Sequence, residues 1–221
     1  MASLNSFADR ITDLISSDYT DFNSEADLFN AAVAEVVDSM PIELLLKYSI
    51  APQALTDNNG WNAIEEKKVL LITRKDATSG YHRECLSVSV QDFERARDAN
   101  SIYLATKHSP VYGYDNTTTT TILDVLPDPT SDEPANIYYF AYPTTDVTGE
   151  DNIAGLPDEC HQAIILKACI NILSAFVSNA VQDEEDSEIL AMLSSQIQTL
   201  KEAYTDEMIR FSEQGTAPRS E

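Results

Sequence analysis

Apolar residues recur at spacings of three and four through the first forty positions. Phe7, Ile11, Leu14 and Ile15 mark one amphipathic helix. Residues 18–24 are polar and turn-like. Ser24, with Asp27 three residues on, forms an approximate capping box for a second helix. Leu28, Phe29, Ala32, Val33, Val36, Val37 and Met40 fall on one face of that helix. Pro41 ends it, or opens a short helix that Leu44, Leu45 and Tyr48 continue.

The pattern changes after Asp57-Asn58-Asn59-Gly60, a strong turn signal. Lys68-Val69-Leu70-Leu71-Ile72-Thr73-Arg74 predicts a strand, and residues 76–80 a turn. Cys85-Leu86-Ser87-Val88-Ser89-Val90 alternates partly, as a half-buried strand does. Residues 93–99 predict a short helical turn. Residues 101–106 and 110–114 read as extended. The Thr-rich run 117–126, stopped by Pro127, and Ile137-Tyr138-Tyr139-Phe140-Ala141-Tyr142, stopped by Pro143, complete a β-rich block of roughly five strands over ~65–145.

Beyond a polar loop, Pro157-Asp158-Glu159 starts a helix that runs to about Val181, with acids at the positive end of its dipole. Ala163, Ile164, Leu166, Ala168, Ile170, Leu173, Ala175, Phe176 and Val177 surround most of its circumference, which predicts a central, buried helix. Polar residues interrupt the run, so it does not read as membrane-spanning. After an acidic turn, Ile189, Leu193, Gln196 or Ile197, Leu200, Tyr204, Met208 and Phe211 form a stripe one seam wide, as in an antiparallel hairpin. The expected fold is α+β but mainly α. Helices of residues 1–64 and 146–211 would form a bundle, with 65–145 as a β-rich insertion and 212–221 as a loose tail.

Charge narrows the function. The 221 residues carry 37 acids and 14 bases, a net charge of −23. Phosphate binding depends mainly on Lys and Arg, so a protein that grips nucleic acid is disfavoured, as is binding to an anionic membrane. An apolar share of 43% is enough for a real core. The N-terminus lacks the basic and apolar regions of a signal peptide.

Catalytic and metal patterns are missing from the sequence. His82, His108 and His161 share no ligand spacing, and Cys85, Cys160 and Cys169 include no CxxC pair, so no metal or other cofactor is expected. No phosphate loop, GxSxG elbow or HExxH helix occurs. An enzyme is therefore not expected. Seven of the ten tyrosines lie in the β-rich block, where they serve as sheet core or as interface. Tyr103, Tyr112, Tyr114, Tyr138, Tyr139 and Tyr142 are the interface candidates.

Three ordered stretches carry a resemblance. The first is the N-terminal amphipathic helical region closing on Val36-Val37-Asp38-Ser39-Met40-Pro41. The second is Asp98-Ala99-Asn100-Ser101-Ile102-Tyr103, then Ser109-Pro110-Val111-Tyr112, a β stretch and Pro127-Asp128-Pro129. The third is Leu156-Pro157-Asp158-Glu159 opening an apolar helix, an acidic turn and a long amphipathic helix with a Tyr near its end. This order resembles the neck adaptors, or head-to-tail connectors, of tailed bacteriophages.

The resemblance implies a homo-oligomeric ring, usually twelvefold, docked beneath the portal protein, with a neck or tail protein on the other side. It places the chain in the virion after assembly in the host cytoplasm. It implies no catalytic residue, cofactor or membrane. Residues 211–221 become the candidate portal-reaching segment, so Phe211, Arg210 and Arg219, with Tyr112, Tyr138 and Tyr139 in the insertion, are the candidate partner-binding residues. Asp183, Glu184, Glu185, Asp186 and Glu188 are candidate lumen acids past which DNA would move without specific binding. Another virion component (tail terminator, tail tube or baseplate protein) and a cellular acidic protein-binding module are the alternatives.

Overall fold

A computed structural model describes residues 6–15, 25–49, 51–57, 60–61, 67–115, 122–180 and 187–215. Ser24, Asn58, Asn59 and the threonines of 117–121 lie outside the described residues. The chain divides into two compact units, Met1–Tyr48 with Tyr142–Glu221, and Ser49–Ala141.

The first unit is helical. Helix α1 (Phe7–Leu14) starts at Ser6, whose hydroxyl accepts from the Asp9 N–H while the Asp9 carboxylate accepts from the Ser6 N–H. Helices α2 (Glu25–Ser39) and α3 (Ile42–Tyr48) follow, the second beginning just after Pro41. In the second half of the unit, a 3-10 turn at Asp158–Cys160 leads into α5 (His161–Ala180), and the unit ends in α6 (Ser187–Gly215). Helix α5 packs against α1, α2 and α6. Its residues from Ala163 to Leu173 are nearly all buried. The segment Asp158–Asn179 is long and apolar enough to cross a membrane, with mean hydropathy 1.6, but 61% of the window is buried within the protein. Burial of that kind is the mark of a core helix. In α6, Leu193, Ile197 and Leu200 are buried at spacings of four and three, Tyr204 and Met208 are half-buried and Phe211 is buried, whereas Ile189 is exposed.

The second unit holds two sheets. Strands β1 (Gln53–Leu55), β2 (Lys67–Lys75), β3 (His82–Glu84) and β7 (Ala135–Ala141) form an antiparallel sheet in the order β1-β7-β2-β3. Strands β4 (Leu86–Ser87), β5 (Val111–Asp115) and β6 (Ile122–Leu126) form a smaller sheet in the order β4-β5-β6, with β4 and β5 parallel. A core of Leu55, Trp61, Ile72, Cys85, Leu123, Val125, Ala135 and Ile137 draws on both sheets. Gly60 holds φ +68°, and a Cβ there would come within 2.9 Å of the Leu123 carbonyl oxygen, so a glycine is required.

This corrects the expected fold class. Of the described residues, 48% are helix and 21% strand, so the fold is α+β in rough balance and not mainly α. Among the described residues seven strands form where about five were expected, because short pieces such as β1 and β4 carry too few residues to show a period of two. The β-rich part has its own core and forms a compact unit, Ser49–Ala141.

Candidate functional site

Helix α4 (Val90–Arg97) and the loop after it form the most distinctive surface of the second unit. Ser89 caps α4: its hydroxyl accepts from the Asp92 N–H at 3.2 Å and donates to the Asp92 carboxylate at 2.8 Å. Phe93 and Ala96 are buried, in a cluster with Ala105, Val111 and Leu126. Helix α4 lies close on β5 because residue 113 is glycine. A Cβ there would stand 2.8 Å from the Phe93 ring.

The chain leaves α4 through a succession of local hydrogen bonds. The Asp98 carboxylate accepts from the Asn100 N–H at 2.9 Å, and the Asp98 carbonyl accepts from the Ser101 N–H at 2.9 Å. The Ser101 hydroxyl accepts from the Tyr103 N–H at 3.1 Å, and the Ser101 carbonyl from the Leu104 N–H at 3.2 Å. The Ala105 N–H then returns to the Ala96 carbonyl at 2.9 Å. These are Asx- and ST-type turns, in which short polar side chains replace ladder bonds. For that reason residues 101–106, expected to be extended, are a set of turns.

Ile102, Tyr103 and Leu104 project from this frame and are 91%, 65% and 41% exposed. A single exposed apolar side chain is ordinary, whereas here three in succession stand out on a hydrogen-bonded loop. The next turn is fixed as well. Lys107 Nζ donates to Thr78 Oγ1 at 2.7 Å and lies 3.5 Å from Asp76 Oδ1. Asp76 also accepts from Ser79 Oγ and the Thr78 N–H. The Ser79 bond, with the Thr78 N–H and the Lys107 charge, holds the Asp76 carboxyl down to about 2 against the cost of its burial. Exposed Tyr81 ends the same 76–81 turn.

The residues singled out from the sequence are spread over both units. Tyr112 and Tyr139 are half-buried against the sheet core. Tyr139 packs on Trp61 at 5.1 Å, and Tyr112 meets Tyr114 edge-on at 6.3 Å. Tyr138 is half-buried on β7, beside Tyr139. In the helical unit Phe211 is only 2% exposed, and Nη1 of the exposed Arg210 donates to both oxygens of the Glu207 carboxylate at 2.8 Å. Glu188 is exposed in the first turn of α6. Asp183, Glu184, Glu185, Asp186 and Arg219 lie outside the described residues. Sequence reasoning passed over Ile102, Leu104 and Tyr81. The available signal was an Ile-Tyr-Leu run bracketed by Asp98 and Ser101, two residues that favour turns over strands.

Among the described residues no three His, Cys, Asp or Glu side chains gather to hold a metal. Cys85, Cys160 and Cys169 are free and buried, and burial pushes each thiol up to about 12, so they stay protonated and weakly nucleophilic. His161 is buried with Nε2 unpartnered, and meets Phe7 edge-on at 5.1 Å. No protein-family model matches the chain, and no curated protein matches its sequence.

Proposed function

We propose that the protein is a non-enzymatic assembly protein of a tailed-phage virion, a neck adaptor that forms a ring between the portal and the tail. The observation that carries this reading is the apolar tip Ile102, Tyr103, Leu104, held by backbone hydrogen bonds on the 98–110 loop. That loop is also the second of the three stretches in which the sequence resembles neck adaptors. A preformed loop loses little conformational entropy on docking, so the burial of its three side chains goes largely into affinity. The acid excess suits a wall that repels DNA phosphates and lets the genome pass.

The test is light scattering and negative-stain imaging of the purified chain, alone and mixed with a portal ring. A ring, or a chain that joins the portal, is expected. A chain that stays monomeric and ignores the portal overturns the neck assignment and shifts weight to another virion station or to a cellular binding module.

A further inference from the structure

His161 stands at the head of α5, 3% exposed, and its Nε2 has no hydrogen-bond partner. Its ring meets Phe7 of α1 edge-on at 5.1 Å, and Phe7, itself fully buried, meets Phe29 of α2 at the same distance. A neutral imidazole is tolerated against aromatic carbon. An imidazolium must donate from both nitrogens, and the proton on Nε2 would be stranded. Burial has the largest effect on this group and opposes the charged form. The exposed Asp158, in the turn before α5, favours the charge, Arg10 of α1 opposes it, and the exposed Asp151 of the preceding loop favours it.

Helix α1, which closes over the ring, is lightly held. It has eight residues, too few for a helix to persist alone in water. Phe7, Ile11 and, just beyond its end, Ile15 are its buried side chains. The Phe7 N–H donates to the Glu150 carbonyl at 2.9 Å and the Ala8 N–H to the Thr148 carbonyl at 2.8 Å. Arg10 Nη2 donates to Gln162 Oε1 at 3.4 Å, and Gln196 Nε2 to the Leu14 carbonyl at 3.2 Å. Helix α5, in contrast, has 20 residues and packs on both α2 and α6. A charge on His161 is therefore relieved at least cost by the departure of α1, which lets water reach the imidazole.

We propose that α1 is an acid-released latch. When His161 takes up a proton, α1 lifts from α5 while α5 stays packed on α2 and α6, and the apolar face of Phe7, Ile11 and Ile15 is uncovered. The opened imidazole binds a proton with ordinary affinity and the enclosed one more weakly. Release is thus favoured as the pH falls below about 6.5, by at most about tenfold for each pH unit. The inference goes beyond the neck assignment and does not depend on it.

Hydrogen exchange of the full-length protein, followed by mass spectrometry at about pH 7.5 and about pH 5.5 and corrected for the intrinsic rate at each, tests it. Protection of residues 7–14 should fall severalfold at the lower pH, and by no more than about tenfold, while that of residues 164–173 stays unchanged. In His161→Phe and His161→Leu, which bind no proton at this position, protection of residues 7–14 should be equal at the two pH values. Equal protection at both pH values in the parent overturns the proposal. So does an equal loss over α1, α2 and α5, which is opening of the whole unit. A selective loss that persists in the two variants removes His161 as its cause and overturns the latch as stated. The parent alone decides whether release is local, so the test stands even where a variant fails to fold.

Discussion

Two buried polar side chains show what the fold demands at single positions. Arg74, in β2, is 3% exposed and donates to the Pro127 carbonyl at 2.9 Å, the Asp128 carbonyl at 3.2 Å and the Glu133 carboxylate at 2.8 Å. It pins the 127–133 loop against the sheet. Arg74→Ala would strand these acceptors, and should cost about 3 kcal/mol in urea unfolding. Arg74→Lys should recover little, because an ammonium lacks the planar fork that reaches all three acceptors. The sequence did not reveal this role. Arg74 reads only as the end of a strand, and its partners lie more than fifty residues away.

His161 sets a pH dependence. Burial, with help from the charge of Arg10, lowers its pKa below the ordinary 6.5, while Asp158 and Asp151 oppose the shift. The unfolded chain, with the ordinary value, then binds the proton more readily than the folded one. The stability due to the neutral imidazole is complete above about pH 6.5 and declines as the pH falls below it. The urea midpoint should drop between about pH 7.5 and about pH 5.5, and His161→Phe should flatten that slope. An unchanged slope in the variant would place the dependence on other groups.

At the scale of elements, periodicity is informative where an element is long and one-sided. Helices α2, α5 and α6 are legible from spacing alone, because each must bury a face over several turns. Short elements depend on single contacts that spacing cannot display. Residues 85–90 alternate like a strand, yet only Leu86 and Ser87 pair, and Ser89 turns the chain into α4. The 98–105 loop is legible only through Asp98 and Ser101, whose side chains hold its turns. Its geometry depends on the seat of α4 on β5, which Gly113 permits. Gly113→Ala brings a methyl group within 2.8 Å of the Phe93 ring and 3.1 Å of its Cβ. That is the stem of the side chain, so rotating the ring gives no relief and the helix must shift. We expect a loss of about 1–3 kcal/mol in urea unfolding. Ser89→Ala, which removes only the cap, should cost about 1 kcal/mol in the same measurement.

Over the whole molecule the acid excess falls mainly on one unit. The helical unit carries −18 and the β-rich unit −5. Like charges held together in a compact unit repel, and dissolved salt screens that repulsion. Salt should therefore stabilise the helical unit more than the other. The two can be followed separately, because the single tryptophan, Trp61, is buried in the β-rich unit while every described helix except α4 belongs to the helical unit. Raising sodium chloride from ~0.02 M to ~0.3 M should lift the melting midpoint seen by far-ultraviolet circular dichroism by a few degrees, roughly what 1 kcal/mol gives a domain of this size. The midpoint seen by Trp61 fluorescence should move less. Equal shifts in both signals would mean that the units melt as one body and share the electrostatic cost.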